Sequence, residues 1–318
     1  MSWIEDRTGL RSLIGAIRER LSRPLPSNSG GAVLGSMALF FILIQVLTGA
    51  LLAIYYVPSW GEAHSSVALI SKDVTFGWLV RSVHAWSAHL LVAIVLLHLV
   101  RVFARGSYAK PREVTWLTGV ALLGLLMGSA FTGQMLPMDD EAVKGAEVAA
   151  AYAGEAGMAD LVRGGPHVGP PMLTRMFAAH VIWAPIGIVL LAVAHLALVG
   201  RHRLHGAENT QGSSPELLRR LTFALLGSAA LLAILAFVRP MGLGPPPGAS
   251  GASVKPMWMF LPVYQAAKWV SGPATLLLLI GPPALLVAVP FLPRRLAVAA
   301  GALMLTAAIV FGIWGAAS

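Results

Sequence analysis

At 318 residues the chain could form two water-soluble domains, but 57% hydrophobic against 12% charged residues leaves too little polar surface to cover them. The absence of cysteine excludes disulfides, thiolate-bound zinc or iron–sulfur centres, thiol catalysis and covalently attached haem held by thioether bonds. The formal charge of +9 does not indicate nucleic acid: Lys and Arg gather at the ends of apolar runs, with no basic and aromatic face between them, and are read as setting a membrane topology.

Residues 1–30 contain no apolar stretch of the kind a cleavable secretory signal requires. Trp3, Ile4, Leu10, Leu13, Ile14 and Ile17 recur at helical spacing among Arg7, Arg11, Arg18 and Arg20, which predicts an amphipathic helix resting on membrane lipid headgroups. Seven apolar runs follow at about 32–56, 78–104, 114–136, 173–199, 217–238, 272–292 and 296–316, each long enough for the ~20 residues that cross a hydrocarbon core. The polar stretch from Gly200 to Glu216 divides a four-helix bundle, 31–210, from a three-helix C-terminal part, 211–318. The expected fold class is therefore an all-α membrane protein with seven transmembrane helices and an N-terminal surface helix.

A cytoplasmic N-terminus would put 15 of the 23 basic residues on that side with only six acids, leaving eight of each sign opposite. The whole positive excess then lies on one face, as the positive-inside rule requires, and seven crossings leave the C-terminus outside.

His64, His167, His202 and His205 fall in loops or at helix ends, whereas five histidines lie inside the second and fourth spans. Ionisable groups in a bilayer are costly and mark a partner, a cavity or a cofactor. His84 and His98 are 14 residues apart and His180 and His195 are 15 apart; on regular α-helical geometry each pair shares one face, with ~21–22 Å between its members. Both spans run outside to inside, so His84 is level with His180 and His98 with His195.

Two imidazoles on the axial positions of an iron porphyrin satisfy the metal and suit outer-sphere electron transfer. A porphyrin between helices needs room, and glycine supplies it. Gly35 and Gly49 in the first span and Gly119 and Gly133 in the third repeat the 14-residue interval, with Gly49 and Gly133 at the outer level and Gly35 and Gly119 at the inner. His89, off the ligand face, is expected to be a hydrogen-bonded interior residue. Haem propionates need cations: Arg81 suits the outer haem, Arg101 and Arg112 the inner, although the last two equally suit topological anchoring. Helix packing alone is the plain alternative for the glycines.

The stretches Gln45-Val-Leu-Thr-Gly49, Arg81-Ser-Val-His84-Ala-Trp-Ser-Ala-His89, His98-Leu-Val-Arg101, Lys110-Pro-Arg-Glu-Val-Thr-Trp-Leu-Thr-Gly119, Phe131-Thr-Gly133, Leu173-Thr-Arg175-Met-Phe-Ala-Ala-His180 and Phe260-Leu-Pro-Val-Tyr-Gln265 resemble the cytochrome b family of quinol-oxidising cytochrome bc complexes. The resemblance covers about residues 30–318. The 15-residue histidine step and the three-helix C-terminal part resemble the chloroplast-type b and subunit IV arrangement, here in one chain. It implies two bis-histidine haem b groups, with Gln45 among the haem-site residues, and quinol oxidised near the outer face. One electron then passes to an iron–sulfur or c-type cytochrome subunit, and the other crosses the membrane to a quinone near the inner face. A dimeric complex in the bacterial inner (cytoplasmic) membrane is implied. Moving one charge across the bilayer is worth ~2.3 kcal/mol per 100 mV.

Departures from the family pattern concern the outer quinol site, where the resemblance locates Asp139, Met257 and Trp258. Its Pro-Glu-Trp-Tyr motif reads Pro256-Met257-Trp258-Met259, replacing a proton-accepting carboxylate with a thioether. Pro-Trp-Asp reads Pro137-Met138-Asp139, and Gln134 stands where an aromatic is usual. Val33 occupies the position of the cysteine that holds a third, covalent haem in the chloroplast type, so no haem is expected by that attachment. Asp139, Asp140 and Glu141 are candidates for proton handling, or else a solvated acidic loop start. The leading expectation is a diheme cytochrome b subunit that cannot complete turnover alone. Within redox chemistry the alternative is an electron conduit with altered or lost outer quinol oxidation. From other classes come a His-based proton or metal transporter and a structural anchor.

Overall fold

The computed structural model describes residues 30–155, 157–202, 214–249 and 255–317. The expected surface helix at 1–30 and the domain boundary at 210/211 lie outside the described residues. All regular structure among the described residues is helical, and seven helices are long and apolar enough to cross a membrane.

The first span is α1, Gly30–Ala53, which stops three residues short of the expected end. Pro58 follows closely and biases Val57 away from helical geometry. A short α2, Ala63–Lys72, leads to α3, Gly77–Ala104, and then α4, Glu113–Met135. Between the third and fourth spans two helices lie outside the bundle, α5 (Asp140–Glu155) and α6 (Ala159–Arg163). The acidic run 139–141 therefore opens a helix and is not a loop: Asp140 is only 4% exposed and pairs with Lys144 at 2.6 Å, while Glu141 is exposed.

The fourth span begins as α7, Pro170–Ala178, passes through a π-helical turn, Ala179–Trp183, and continues as α8, Ala184–His202. Pro185 sits just beyond the π turn and has no N–H to give to an i−4 carbonyl, a local reason for the chain to widen there. The C-terminal part consists of α9 (Ser214–Val238), short α10 (Leu261–Ala267), α11 (Pro273–Ala288) closing in a 3-10 turn, and α12 (Arg294–Ala317).

Helix α1 packs along α3 and α4 along α8; α9 covers the outer side of α1 and α3, and α10 packs on α12. Outward faces remain apolar, as at Leu43, Leu47 and Leu51, which suits contact with lipid tails. The core has three layers. An outer one joins Met135, Met138, Met172 and Met176; a middle one joins Phe41, Leu91, Leu126 and Ile188; an inner one joins Tyr108, Trp116 and Val120 to Val289 and Ala297. The inner layer links the bundle to α11, its closing turn and α12, and the Trp116 indole N–H donates to the Leu286 carbonyl at 2.7 Å.

Candidate functional site

The four-helix bundle brings four of the five intramembrane histidines together in two pairs. His84 of α3 and His180 of the π turn face each other with ring centroids 6.1 Å apart and planes at 79°. Two metal–nitrogen bonds of about 2 Å, with about an ångström from each nitrogen to its ring centre, would span roughly 6 Å. The gap therefore fits one metal between the rings. At the inner level His98 of α3 and His195 of α8 lie close enough to interact electrostatically.

The π turn accounts for the unequal intervals. One π-helical turn accommodates an extra residue in an α-helix. The turn at 179–183 includes His180, so the 15-residue step to His195 spans what 14 residues span in α3. On regular α-helical geometry 14 residues fall roughly 40° short of four turns and 15 roughly 60° beyond; the π turn removes that mismatch.

Hydrogen bonds define which ring nitrogen is available. The Thr48 hydroxyl donates to the Ile44 carbonyl at 2.6 Å, so its oxygen must accept from His84 Nδ1 at 2.9 Å. Thr118 repeats this: its hydroxyl donates to Thr115 at 2.9 Å and its oxygen accepts from His195 Nδ1 at 3.0 Å. His180 Nδ1 donates to the Ser129 carbonyl at 2.9 Å. Three rings thus hold their proton on Nδ1 and keep the Nε2 lone pair for a ligand bond, the tautomer a metal-binding imidazole needs. His98 differs, because its Nδ1 is buried with no partner among the described residues. The reason is local: Thr48 and Thr118 immediately precede Gly49 and Gly119, whereas Leu34 precedes Gly35.

The four glycines abut the four imidazoles directly. A β-carbon at Gly133 would come 2.5 Å from His180 Cε1; at Gly49, 3.2 Å from His84 Cε1; at Gly119, 3.3 Å from His195 Cε1; at Gly35, 3.8 Å from His98 Cε1. At Gly133, and more mildly at Gly49 and Gly119, glycine lets α1 and α4 approach the rings, whereas at Gly35 a β-carbon would make only an ordinary contact. Phe41, Leu91, Leu126 and Ile188 lie midway in sequence between the two levels and form a buried apolar layer separating them.

Other residues singled out from the sequence have defined positions. The Gln45 amide donates to the His84 carbonyl at 2.6 Å and to Ser87 Oγ at 2.7 Å, clamping α1 to α3 beside the outer pair. The Arg81 guanidinium donates to the carbonyls of Met241 (2.8 Å) and Gly242 (2.6 Å). It therefore anchors the segment after α9 to the top of α3. Arg101 lies near His98, and half-buried Arg112 precedes α4. Asp139 caps α5, with Oδ1 accepting from Ala142 N at 3.0 Å and Oδ2 from Gly244 N at 3.1 Å. Glu141 beside it is pushed above the usual carboxylate range by burial and by the Asp139 charge.

On the opposite wall, the Met257 carbonyl accepts from Phe260 N at 2.8 Å, and the Phe260 ring meets Phe131 of α4 edge-on at 6.2 Å. Trp258 reaches across to α3, its Nε1–H donating to His89 Nδ1 at 3.0 Å. His89 is hydrogen-bonded, as the sequence suggested, through a partner 169 residues away that no spacing rule reveals.

The family profile described as Cytochrome b/b6/petB matches residues 23–203. The protein named "Cytochrome bc complex cytochrome b subunit" from Chlorobaculum thiosulfatiphilum is 37% identical over 250 residues, 74% of this chain and 58% of that protein's length. Cytochrome b6 of Heliobacterium mobile is 37% identical over 207 residues, covering 63% of this chain and 96% of the relative. Among solved structures, a chain titled "Hyperthermophilic respiratory Complex III" matches with a TM-score of 0.83 at 23% identity, covering 99% of this chain and 90% of that one. That likeness concerns the fold.

Proposed function

The chain belongs to the cytochrome b/b6 family, and from that premise we propose that it is a diheme membrane subunit. In this role it carries electrons across the bilayer between quinone sites and a redox partner of a bc-type complex. The observation that carries this reading is the His84–His180 pair, two rings one metal apart, with proton-bearing Nδ1 atoms held by Thr48 and the Ser129 carbonyl. His84 and His180 would hold the outer haem, His98 and His195 the inner. Bound between two imidazoles, a haem supplies one-electron transfer with no open coordination position.

The chain's own residues perform the remaining work. Nδ1–H bonds set tautomer and ring orientation at three ligands, and the layer around Phe41 and Leu126 excludes water between the levels. Arg101 and Arg112 suit the inner propionates. Arg81 can serve the outer ones only by sharing a guanidinium that also anchors the Met241 and Gly242 carbonyls. The required partners are an iron–sulfur or c-type cytochrome subunit and quinone, in a dimeric complex in the bacterial inner membrane, with the N-terminus cytoplasmic.

A second reading, an electron conduit with altered outer quinol oxidation, is favoured by two observations. Met257 offers no base, and both oxygens of Asp139 are engaged by backbone N–H groups. The deciding experiment for the class is a pyridine haemochrome with a reduced-minus-oxidised spectrum on purified protein. Two b-type haems per chain are expected. No Soret absorption together with proton or metal flux would replace the diheme reading with the transporter.

A further inference from the structure

We propose that His89 is a quinone-positioning residue, presenting its Nε2–H to a quinone carbonyl oxygen beside Trp258. The inference rests on the quinone reading above and assigns a residue to it.

His89 lies twelve residues into α3, outside the ligand pairs. The indole Nε1–H of Trp258 is a donor only, so the His89 Nδ1 it meets at 3.0 Å must be the acceptor nitrogen. The neutral ring then carries its proton on Nε2. That nitrogen has no hydrogen-bond partner among the described residues and is not enclosed by protein. Trp86, with its ring centre 5.5 Å away, and Trp258 support the imidazole. The Trp86 N–H is already committed to the Arg239 carbonyl at 2.8 Å. The site therefore offers one directed donor beside two indoles.

Depth selects the occupant. Twelve residues place His89 about 18 Å along a helix of about 42 Å, well below the level of lipid ester carbonyls. Where the protein supplies no acceptor to Nε2, a carbonyl compound that dissolves in the hydrocarbon can supply one, which is the property of a quinone. The same stretch has lost its carboxylate at Met257, and Met257, Met259 and Phe260 offer only apolar side chains. His89 is then a polar handle beside these side chains. Its tautomer makes it a donor that orients the head group; it is not a base.

The test uses the assembled haem-loaded complex and a short-chain quinone carrying carbon-13 at its carbonyls, so that quinone and lipid carbonyl bands separate in infrared difference spectra. Expected in the unmodified protein is a labelled carbonyl band shifted down by hydrogen bonding. His89→Ala should abolish the shift and raise KM for quinol roughly tenfold, with kcat changed less and haem content unchanged. His89→Gln, which keeps an N–H donor, should recover part of both. Trp258→Phe, which releases the tautomer, should weaken the shift. An unaltered labelled band and KM in His89→Ala, with normal quinol-dependent haem reduction in the parent, would overturn the inference alone. If quinol fails to reduce the parent's haems, the quinone reading falls and this inference with it.

Discussion

A β-carbon placed on Gly133 would lie 2.5 Å from His180 Cε1 and 2.9 Å from its Nδ1, distances that real carbon atoms do not tolerate. The corresponding approach of Gly35 to His98 is 3.8 Å, an ordinary contact. Alanine at the four glycines should therefore reduce haem retention in a graded order: Gly133 most, Gly49 and Gly119 less, Gly35 least. The worst case is an overpacking penalty of about 1–3 kcal/mol. Haem per chain in the four purified variants, with helicity by circular dichroism as control, checks this. Equal retention would show that the glycines serve helix packing alone.

Of the four proposed ligands His98 is the one whose Nδ1 is buried without an acceptor among the described residues, and Leu34 stands where the other α1 level has Thr48. Leu34→Thr should supply the missing hydroxyl oxygen. A hydrogen bond to Nδ1–H makes an imidazole more basic and favours oxidised iron. The inner haem should then fall in midpoint potential by on the order of 30–60 mV, up to a tenfold change in a one-electron equilibrium. Thr48→Leu should raise the outer one. Redox titration of the two haems reads both shifts, and potentials that stay in place would rule out this tuning.

Much of this site is legible in the sequence because the bilayer forces it. Lipid leaves every span apolar, so five internal histidines stand out, and glycine intervals report the same levels from different helices. What remained hidden depends on contacts between distant segments. The Thr-Gly pairs at 48–49 and 118–119 are visible as text, yet the hydroxyl's role follows only once Nδ1 is seen to face it. Pro185 marks where the fourth span departs from α geometry, but the π turn at 179–183 is what restores His180 and His195 to register. Asp139 reads as a free acid because its partner, the Gly244 N–H, is 105 residues away. Arg81 likewise finds its carbonyls 160 and 161 residues on.

Glu141 supplies a pH dependence whose sign is determined. Burial, and then the Asp139 charge, raise its folded pKa above the unfolded value. Its protonated form therefore favours the folded state. The resulting stability is fully present below the ordinary glutamate pKa of about 4.3 and is lost as pH rises through the higher folded value. Thermal unfolding followed upward from pH 4 should show this decline, and Glu141→Gln should flatten it. A variant that keeps the parent's full pH profile would assign the dependence to another group.

Asp139 and Met257 make opposite predictions about the outer site. Asp139→Ala removes the α5 cap and its link to Gly244, so it should destabilise the protein by about 1 kcal/mol and speed amide exchange at Gly244. Met257→Glu instead adds a carboxylate on the turn that Met257 and Phe260 close, next to Trp258 and near the Phe131 ring. A positioned base contributes about 10²–10⁴-fold in proton transfer. If the thioether limits quinol oxidation, stopped-flow haem reduction by quinol should accelerate toward that range in Met257→Glu, with a new dependence on pH. Met257→Gln, alike in shape and without a base, should not accelerate. Identical rates in parent, Glu and Gln variants would exonerate Met257 and return the limiting step to the partner subunit.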